Sequence, residues 1–382
     1  MLTYQYFLFS FFIIFLSFLI YNFSIKLEFF KNVSEINIKE KKCHKIFYKN
    51  SIKDFIFLDE NSIIASSLNI PFLFHKLIYL EDHFLPNDNM LYFNIDTEEL
   101  KEIHIKNFPK NISFHPHGIN LYKNKYIYII NHSFNYIKSY ERIEIVEIIK
   151  ENNIFKELKY LKSIILPDNY FGTLNSLTVV SNEVIYFTTS KPFHMPNGEK
   201  EFHLFHILRF KFGILISTIF NLKLTGMYQY YKGSLKLIEE SKGIVNNGIT
   251  YDNKKKLIYL AQTLDKQFLV FDVKNELKPN LIIKKKCDYA YDNLIINKTN
   301  GFIYAGIIGK IYNFLITTKY YGKYRSWDNF DFYGGFEEID INNNSIKIHH
   351  MSKNLLRGIS SGIFINNKQI LIANLEGGIL LC

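Results

Sequence analysis

Histidines and side-chain oxygens recur at the starts of predicted strands along the chain. They are His117, within Pro116-His117-Gly118-Ile119, then His132, and the oxygen-bearing Asn175, Asn247, Asp292 and Asn293. Imidazole exchanges protons near neutral pH. Ca²⁺ takes about six to eight oxygen ligands, including Asn side-chain carbonyls. Each Asn alone is also an ordinary turn residue in this Asn-rich chain, but their recurrence at matching strand starts favours a calcium site beside two histidines.

Short apolar runs separated by turn residues indicate the architecture that would bring these groups together. Residues 177–180 and 184–187 flank Ser181-Asn182-Glu183, and residues 257–260, 268–271, 294–296 and 302–305 repeat the pattern. Such spacing is typical of antiparallel hairpins. Hairpins recurring over most of the chain predict an all-β propeller, in which the inner strands start near a central tunnel. A pair of large β-sandwiches is the alternative.

Composition excludes several functional classes. The 382 residues are 48% apolar and 21% charged, which excludes a disordered scaffold. Three cysteines exclude a disulfide-dense mini-domain or a multi-zinc array. The net charge of +10 is attributed to a solvated basic surface, because no Arg-rich helix or basic–aromatic groove is present in the sequence. We therefore expect no nucleic-acid partner.

The first 25 residues contain no charged side chain and predict a transmembrane signal anchor. About 20 apolar residues suffice to cross a bilayer core. A cleaved signal peptide is the alternative, but the basic n-region and the small-residue cleavage site that it requires are both missing. We expect an uncleaved anchor at 1–25, a stalk at 26–42 and the main body at 43–382.

Orientation in the membrane rests on conflicting signals. Lys26 and Lys31 follow the span and favour a cytosolic body. Potential glycan acceptors favour a lumenal body; they are Asn32, Asn111, Asn131, Asn297 and Asn343. Cys43 and Cys382 lie at the two ends of the body, where a disulfide would close a ring of strands in an oxidising compartment. Three buried free thiols are the alternative. We predict a body in the endoplasmic reticulum lumen or outside the cell.

An insertion at about 191–230 interrupts the hairpin pattern. Residues 202–220 are long and apolar but contain Arg209 and Lys211 near the middle, so a second membrane span is not expected. We predict an amphipathic helix lying in the membrane interface. Two buried strands are the alternative.

These motifs together resemble the paraoxonase/arylesterase family of six-bladed propeller hydrolases, over about residues 43–382. The resemblance implies a catalytic calcium ion with four of its five ligands at Asn175, Asn247, Asp292 and Asn293. It implies a proton-relay pair at His117 and His132, and a disulfide between Cys43 and Cys382. An N-terminal anchor and a membrane-seated helix over the active site are also features of this family.

The chain departs from the family pattern at both calcium sites. Lys53 stands where the family has the fifth catalytic ligand, a carboxylate. At the family's second, structural calcium, Asp54 and the Ile119 carbonyl match, but Ser176 replaces an Asp. Lys191 stands at a pocket position where the family has a histidine. Both calcium sites are therefore expected to be weakened.

Two functions follow from the resemblance. The first is a calcium-dependent hydrolase of small apolar aryl esters or lactones. The second is a catalytically weak relative that acts by contact, as some nematode paraoxonase-like proteins assist degenerin-type sodium channels. The histidine pair favours the first, whereas Lys53 and Ser176 favour the second. The partners expected are the membrane, through the anchor and residues 202–220, a small substrate, and a membrane-protein client under the second hypothesis.

Overall fold

A computed structural model describes residues 2–34, 36, 43–69, 87–133, 141–167, 172–191, 213–313, 333–352, 358–365, 369–374 and 377–382. Helix α1 spans Leu2–Lys26, and its segment Phe9–Lys26 is long and apolar enough to cross a membrane. No residue of this segment is buried, and contacts with the body occur near its end, where Phe23 packs against a buried cluster that includes Leu264 and the Lys26 Nζ donates to the Asn221 Oδ1. The helix therefore has the length, composition and exposure of a membrane anchor.

The described strands form five four-stranded sheets and one five-stranded sheet. The first contains β2 (Ser51–Phe57), β3 (Ser62–Leu68), β4 (Met90–Asn94) and β5 (Glu99–Ile103). The second contains β7 (Pro116–Tyr122), β8 (Tyr126–His132), β9 (Glu141–Glu151), β10 (Ile154–Ile165) and β6 (Ile105–Lys106). The third contains β11 (Thr173–Val179), β12 (Val184–Lys191), β13 (Thr225–Tyr231) and β14 (Ser234–Gly243).

The remaining sheets follow in chain order. The fourth contains β15 (Asn246–Asp252), β16 (Leu257–Gln262), β17 (Gln267–Asp272) and β18 (Asn280–Lys286). The fifth contains β19 (Ala290–Ile296), β20 (Ile303–Ile308), β21 (Gly334–Asp340) and β22 (Ser345–Ser352). The sixth contains β23 (Ile359–Ile365), β24 (Gln369–Asn374), β25 (Ile379–Leu381) and β1 (His44–Ile46).

The residue patterns explain which strands lie inside. Strands β3 and β11 are buried at every position, as expected for strands covered on both faces. Strand β18 instead alternates between exposed and partly buried residues, and its Lys284 and Lys286 are exposed. The β7–β8 hairpin turns at Lys123 and Asn124, whose φ values of 53° and 52° are those of a type I′ turn. Local sequence therefore sets both the hairpins and their inner or outer position.

The first strands of the sheets form a closed ring of contacts. Strand β2 contacts β7, and contacts continue through β11, β15, β19 and β23 back to β2. Two glycines permit this close approach. A Cβ at Gly118 would lie 2.6 Å from the Asn175 carbonyl oxygen, and one at Gly248 would lie 2.7 Å from the Asp292 carbonyl oxygen. The chain is therefore an all-β propeller, as predicted, and the sandwich alternative is wrong.

The two ends of the body meet in one sheet. Strand β1 pairs antiparallel with β25, with His44 opposite Leu381. The flanking Cys43 and Cys382 form a disulfide, with Cα atoms 4.1 Å apart. Cys287 is buried and free. The predicted disulfide is confirmed, and the alternative of three free thiols is wrong.

The segment after the anchor is not the separate stalk that was expected at 26–42. Leu27 and Glu28 are buried, and the Glu28 Oε1 accepts hydrogen bonds from the Nζ atoms of Lys31 (2.7 Å) and Lys266 (3.2 Å). Ile36 forms a β-bridge with Met351. A buried carboxylate requires paired cations, so these contacts fasten the end of α1 to the propeller.

The insertion is shorter than the expected 191–230. Lys191 still belongs to β12, and β13 already begins at Thr225. Residues 213–220 form a helix, α2, in which Ile216 and Phe220 are exposed. These residues are helical and not part of a strand, and the position of the predicted helix in the membrane interface stays a prediction. Residues 192–212, with Arg209 and Lys211, lie outside the described residues.

A buried carboxyl group in β21 makes stability depend on pH. The Tyr291 hydroxyl donates a hydrogen bond to the Glu337 Oε2, and burial raises the pKa of Glu337 to about 7. A raised carboxyl pKa means that its contribution to stability is present below the unfolded pKa and is lost as the pH rises through 7. In the wild type the free energy of unfolding should therefore fall by roughly 3 kcal/mol between about pH 4.5 and 7. We expect Glu337→Gln to remove this fall, because glutamine does not titrate.

Denaturant unfolding at several pH values measures this effect. Glu338→Gln in the same strand is the control, because Glu338 is the partly exposed neighbour of the buried Glu337. An unchanged pH dependence in Glu337→Gln would contradict the assignment.

Candidate active site

Three side chains form a hydrogen-bonded relay at the axis of the propeller. The His117 Nδ1 and the His132 Nε2 are 2.7 Å apart, and the His132 Nδ1 is 3.0 Å from the Glu141 Oε1. His132 is buried, whereas His117 is partly exposed. The pair predicted from sequence therefore lies together, and Glu141 extends it to a histidine–histidine–carboxylate chain.

Strand pairing and a bulge hold the three side chains of the relay in position. His132 at the end of β8 lies directly opposite Glu141 at the start of β9. The second carboxylate oxygen of Glu141 accepts a hydrogen bond of 2.7 Å from the Leu174 N–H in the next sheet. In β7 the register shifts between Pro116 and Ile119, which is where His117 lies. A bulge of this kind re-aims a side chain next to a site.

Asn131 supports the relay and cannot carry the expected glycan. Its side chain has no solvent exposure, and its Nδ2 donates to the Ser113 carbonyl and the Glu144 Oε1, both at 3.0 Å. Its Oδ1 accepts the His115 N–H at 2.8 Å. A glycan on this nitrogen would break buried hydrogen bonds, so the prediction of an acceptor at Asn131 is wrong for the folded protein.

The imidazole of His117 is neutral at neutral pH. Burial lowers the pKa of His117 well below its usual value, and the nearby Lys53, His132 and Lys191 lower it further. A neutral ring with one nitrogen bonded to His132 keeps the other for accepting a proton. His117 is therefore suited to act as a general base.

The predicted oxygen ligands lie at the starts of neighbouring inner strands. The Oδ1 atoms of Asn175 and Asn247 are buried and have no hydrogen-bond partner among the described residues. Asp292 is buried, and burial raises its pKa while Lys53 and a hydrogen bond with Asn247 lower it. The Asn293 Nδ2 donates to the Lys53 carbonyl at 2.5 Å. Carbonyl oxygens buried in this way are costly unless a hydrogen-bond donor, a water molecule or a cation serves them.

Hydroxyl groups hold the inner strands of adjacent sheets together at this level. The Thr188 hydroxyl in β12 donates to the Asn247 carbonyl at 2.6 Å. The Ser66 hydroxyl in β3 donates to the His117 carbonyl. The Asp54 carboxylate accepts the Ile119 N–H at 3.1 Å. Together with the close approach at Gly118 and Gly248, these contacts bring the predicted site residues into one region.

Two ammonium groups act on the same region. The charge of Lys53 lowers the pKa values of His117, Asp292 and Lys191. Burial, with help from Lys53, lowers the pKa of Lys191 to about 8, against the opposing effect of Glu141. Among the matched calcium ligands Asp292 is the one carboxylate. At 4 Å each unit-charge repulsion is worth about 4 kcal/mol with an effective dielectric of 20, so this set of side chains does not fit a doubly charged ion.

Residues of the expected structural calcium site make hydrogen bonds with the backbone and side chains around them. Asp54 accepts the N–H groups of Phe55 and Ile119, and burial raises its pKa to about 7. Ser176 uses its N–H to bond the Thr188 hydroxyl at 3.1 Å. The described residues contain no group of three His, Cys, Asp or Glu side chains placed to hold a metal ion. Asp54 therefore acts here as a hydrogen-bond acceptor that joins β2 to β7.

Sequence reasoning missed Glu141. The register of the β8–β9 pair would have revealed it, because Glu141 is the residue opposite His132. Residues 134–140 connect the two strands and lie outside the described part of the chain. Because the connection is longer than a tight turn, the sequence alone did not show which residue of β9 pairs with His132.

Comparison with known proteins finds matches that cover the part of the chain containing the relay. A family model described as Arylesterase matches residues 86–319. The chain is 24% identical to serum paraoxonase/arylesterase 2 of Bos taurus over 221 residues, covering 57% of this chain and 55% of the relative. It is 27% identical to serum paraoxonase/lactonase 3 of Oryctolagus cuniculus over 233 residues, covering 59% and 58%. The matched region spans little more than half the length of these relatives, and Lys53 and Asp54 lie outside the family match.

Solved structures support the fold alone. A gluconolactonase of Xanthomonas campestris, XC5397, superposes with a TM-score of 0.50 and 10% identity over 89% of this chain and 88% of its own. A luciferin-regenerating enzyme superposes with a TM-score of 0.50 and 8% identity over 91% and 95%. The family match covers more than half of the chain and includes both histidines of the relay and the four oxygen-bearing residues at the inner strand starts. The chain therefore belongs to the paraoxonase/arylesterase family.

Proposed function

We propose that this protein is a membrane-anchored hydrolase of small apolar esters or lactones. The observation that carries the proposal is the relay from His117 through His132 to Glu141, at 2.7 Å and 3.0 Å. Family membership supports ester or lactone chemistry. We also propose that the five four-stranded sheets and the five-stranded sheet are six blades around one axis, with the relay at their inner edge.

The proposed reaction begins with a water molecule beside His117. The free nitrogen of the neutral ring takes a proton from the water as its oxygen attacks the substrate carbonyl carbon. The resulting imidazolium is stabilised through His132 by the Glu141 carboxylate. Collapse of the tetrahedral intermediate breaks the bond to the leaving oxygen, which receives the proton back from His117. The products are a carboxylic acid and an alcohol, or one hydroxy acid from a lactone.

The family resemblance also implies calcium dependence. The oxygens of Asn175, Asn247, Asp292 and Asn293 would be the catalytic ligands, and Asp54, Ile119 and Ser176 would form the second site. Because the charges of Lys53 and Lys191 oppose a divalent ion, we assign no step of the reaction to Ca²⁺.

Hydrolysis of a small substrate panel tests the function. Full-length protein in detergent should hydrolyse phenyl acetate and aliphatic lactones with saturable kinetics, above a matched preparation of His117→Gln. Absence of turnover on both substrate classes would contradict the proposal. It would favour the second hypothesis, a contact role toward a membrane-protein client, for which the replaced ligand positions Lys53 and Ser176 are the supporting observation.

The anchor and the disulfide support a body outside the cytosol. An exposed apolar helix and a Cys43–Cys382 bond fit a membrane-anchored protein of secreted type. We propose that the body lies in the endoplasmic reticulum lumen or outside the cell. Of the remaining acceptors, Asn32, Asn111 and Asn343 are exposed and Asn297 is partly exposed.

Glycosidase digestion tests this topology. Digestion of membranes should increase gel mobility, and Asn111→Gln and Asn343→Gln should each remove part of the shift. Asn131→Gln should leave the shift unchanged, because that side chain is buried. An unglycosylated body that protease digests from the cytosolic side would contradict the proposed orientation.

A further inference from the structure

The region around Asp292 contains buried oxygens that have no hydrogen-bond donor among the described residues. The Oδ1 atoms of Asn175 and Asn247 are buried without a donor among the described residues, and the nearby Asp292 carboxylate is buried. Asn247 and Asp292 are neighbours, since Gly248 packs against the backbone of Asp292 and Asn293. Buried acceptors of this kind are costly unless a cation or a donor serves them.

Lys53, on the inner strand β2, brings a positive charge to this region. Its backbone is fixed there, because its carbonyl accepts the Asn293 Nδ2 at 2.5 Å and the next residue, Asp54, bonds the Ile119 N–H. Its ammonium interacts electrostatically with Asp292, His117 and Lys191. The side chain is half-buried and has four carbons of reach.

We propose that the ammonium charge of Lys53 takes the place of a bound divalent cation beside the buried Asp292 carboxylate, as a cation built into the chain. One charge on β2 then balances the one carboxylate of the group. A calcium ion entering this region would be repelled by the ammonium groups of both Lys53 and Lys191. The protein therefore folds and works without calcium, and a chelator leaves it unchanged.

The catalytic part of this inference rests on the proposed hydrolysis. An ammonium held at the oxygen cluster can stabilise the negative charge that develops on a substrate carbonyl oxygen during attack. The binding and stability parts do not depend on turnover. The test therefore uses calorimetric titration with CaCl₂ and thermal unfolding in CaCl₂ or chelator, both on full-length protein in detergent.

We expect the wild type to give no saturable heat and the same Tm with calcium as with chelator. Lys53→Glu should bind Ca²⁺ and melt roughly 3–5 °C higher in calcium than in chelator. Lys236→Glu makes the same charge change at an exposed position of β14 and should show no calcium response. Lys53→Met, which removes the charge and keeps the stem, should melt below the wild type in both conditions.

Saturable calcium binding with a raised Tm in the wild type would overturn the inference. A Lys53→Glu protein that folds but shows neither calcium binding nor a calcium-dependent Tm would also overturn it, because the oxygens would then not form a cation site. If Lys53→Glu does not fold, Lys53→Met decides: a Tm equal to that of the wild type would show that the ammonium serves no buried oxygen. Failure to hydrolyse esters would refute the proposed function and leave these readouts unaffected.

Discussion

Glu141→Gln is expected to lower kcat/KM for phenyl acetate by about 10³- to 10⁴-fold. The carboxylate accepts the His132 Nδ1 hydrogen and the Leu174 N–H. A glutamine amide can keep one acceptor, but it removes the negative charge that stabilises a protonated relay and permits the wrong His132 tautomer. Glu141 is a positioning residue, because it acts on the substrate only through the histidines.

A split between kcat and KM distinguishes this role from a structural one. The loss should appear in kcat, with KM within about twofold of the wild type, because Glu141 does not contact the substrate. Glu147→Gln is the matched control, since Glu147 lies in the same strand and pairs with the exposed Lys125. Equal kcat values for Glu141→Gln and Glu147→Gln would contradict a relay through Glu141.

Removal of the Cys43–Cys382 disulfide is expected to cause the largest loss of stability. The bond joins residues 339 apart in the sequence. In the loop-entropy description such a link lowers the free energy of folding by about 5–6 kcal/mol, as an upper value. In addition, β1 pairs over only three residues with β25, so the bond holds a short strand that completes its sheet.

Thermal unfolding of Cys43→Ser/Cys382→Ser measures this loss. The double variant should melt well below the wild type, and a reductant should lower the wild-type Tm toward it. Cys287→Ser removes the buried free thiol and serves as the control; its unfolding should respond to the reductant as the wild type does. Equal Tm values for the double variant and the wild type would show that strand pairing alone closes the propeller.

Local patterns predicted most of the fold because hairpins are local. The runs at 177–180 and 184–187 lie in β11 and β12 as paired neighbours, with Thr178 opposite Tyr186. The disulfide was also predictable, since a ring of strands needs a link between its ends. The contacts of the Glu28 carboxylate were not, because Lys266 is distant in sequence and only the folded ring brings it to the end of α1.

The sequence indicated which residues lie in the site, but it did not indicate all the contacts that these residues make. The His117–His132 contact depends on adjacent strands and was inferred correctly. Asn131 has the sequence of a glycan acceptor, but β8 is buried at every position after Tyr126, and Asn131 bonds Ser113 and Glu144 in the interior. The Asp54 carboxylate bonds the N–H of Ile119, where the family pattern implied a shared ion and the Ile119 carbonyl. The bonding partners of these side chains depend on how closely neighbouring strands approach each other, and the spacing of residues in the sequence does not show this.

Hydrolysis of phenyl acetate by matched preparations of the wild type and His117→Gln tests the central claim most directly. We expect saturable turnover by the wild type in chelator, and a loss of about 10²- to 10⁴-fold in kcat for His117→Gln, because this ring is the proposed general base. Equal melting temperatures of the two proteins would show that the loss is chemical. Equal rates in both preparations, or no turnover by a folded wild type, would contradict a hydrolytic site at the axis of this propeller.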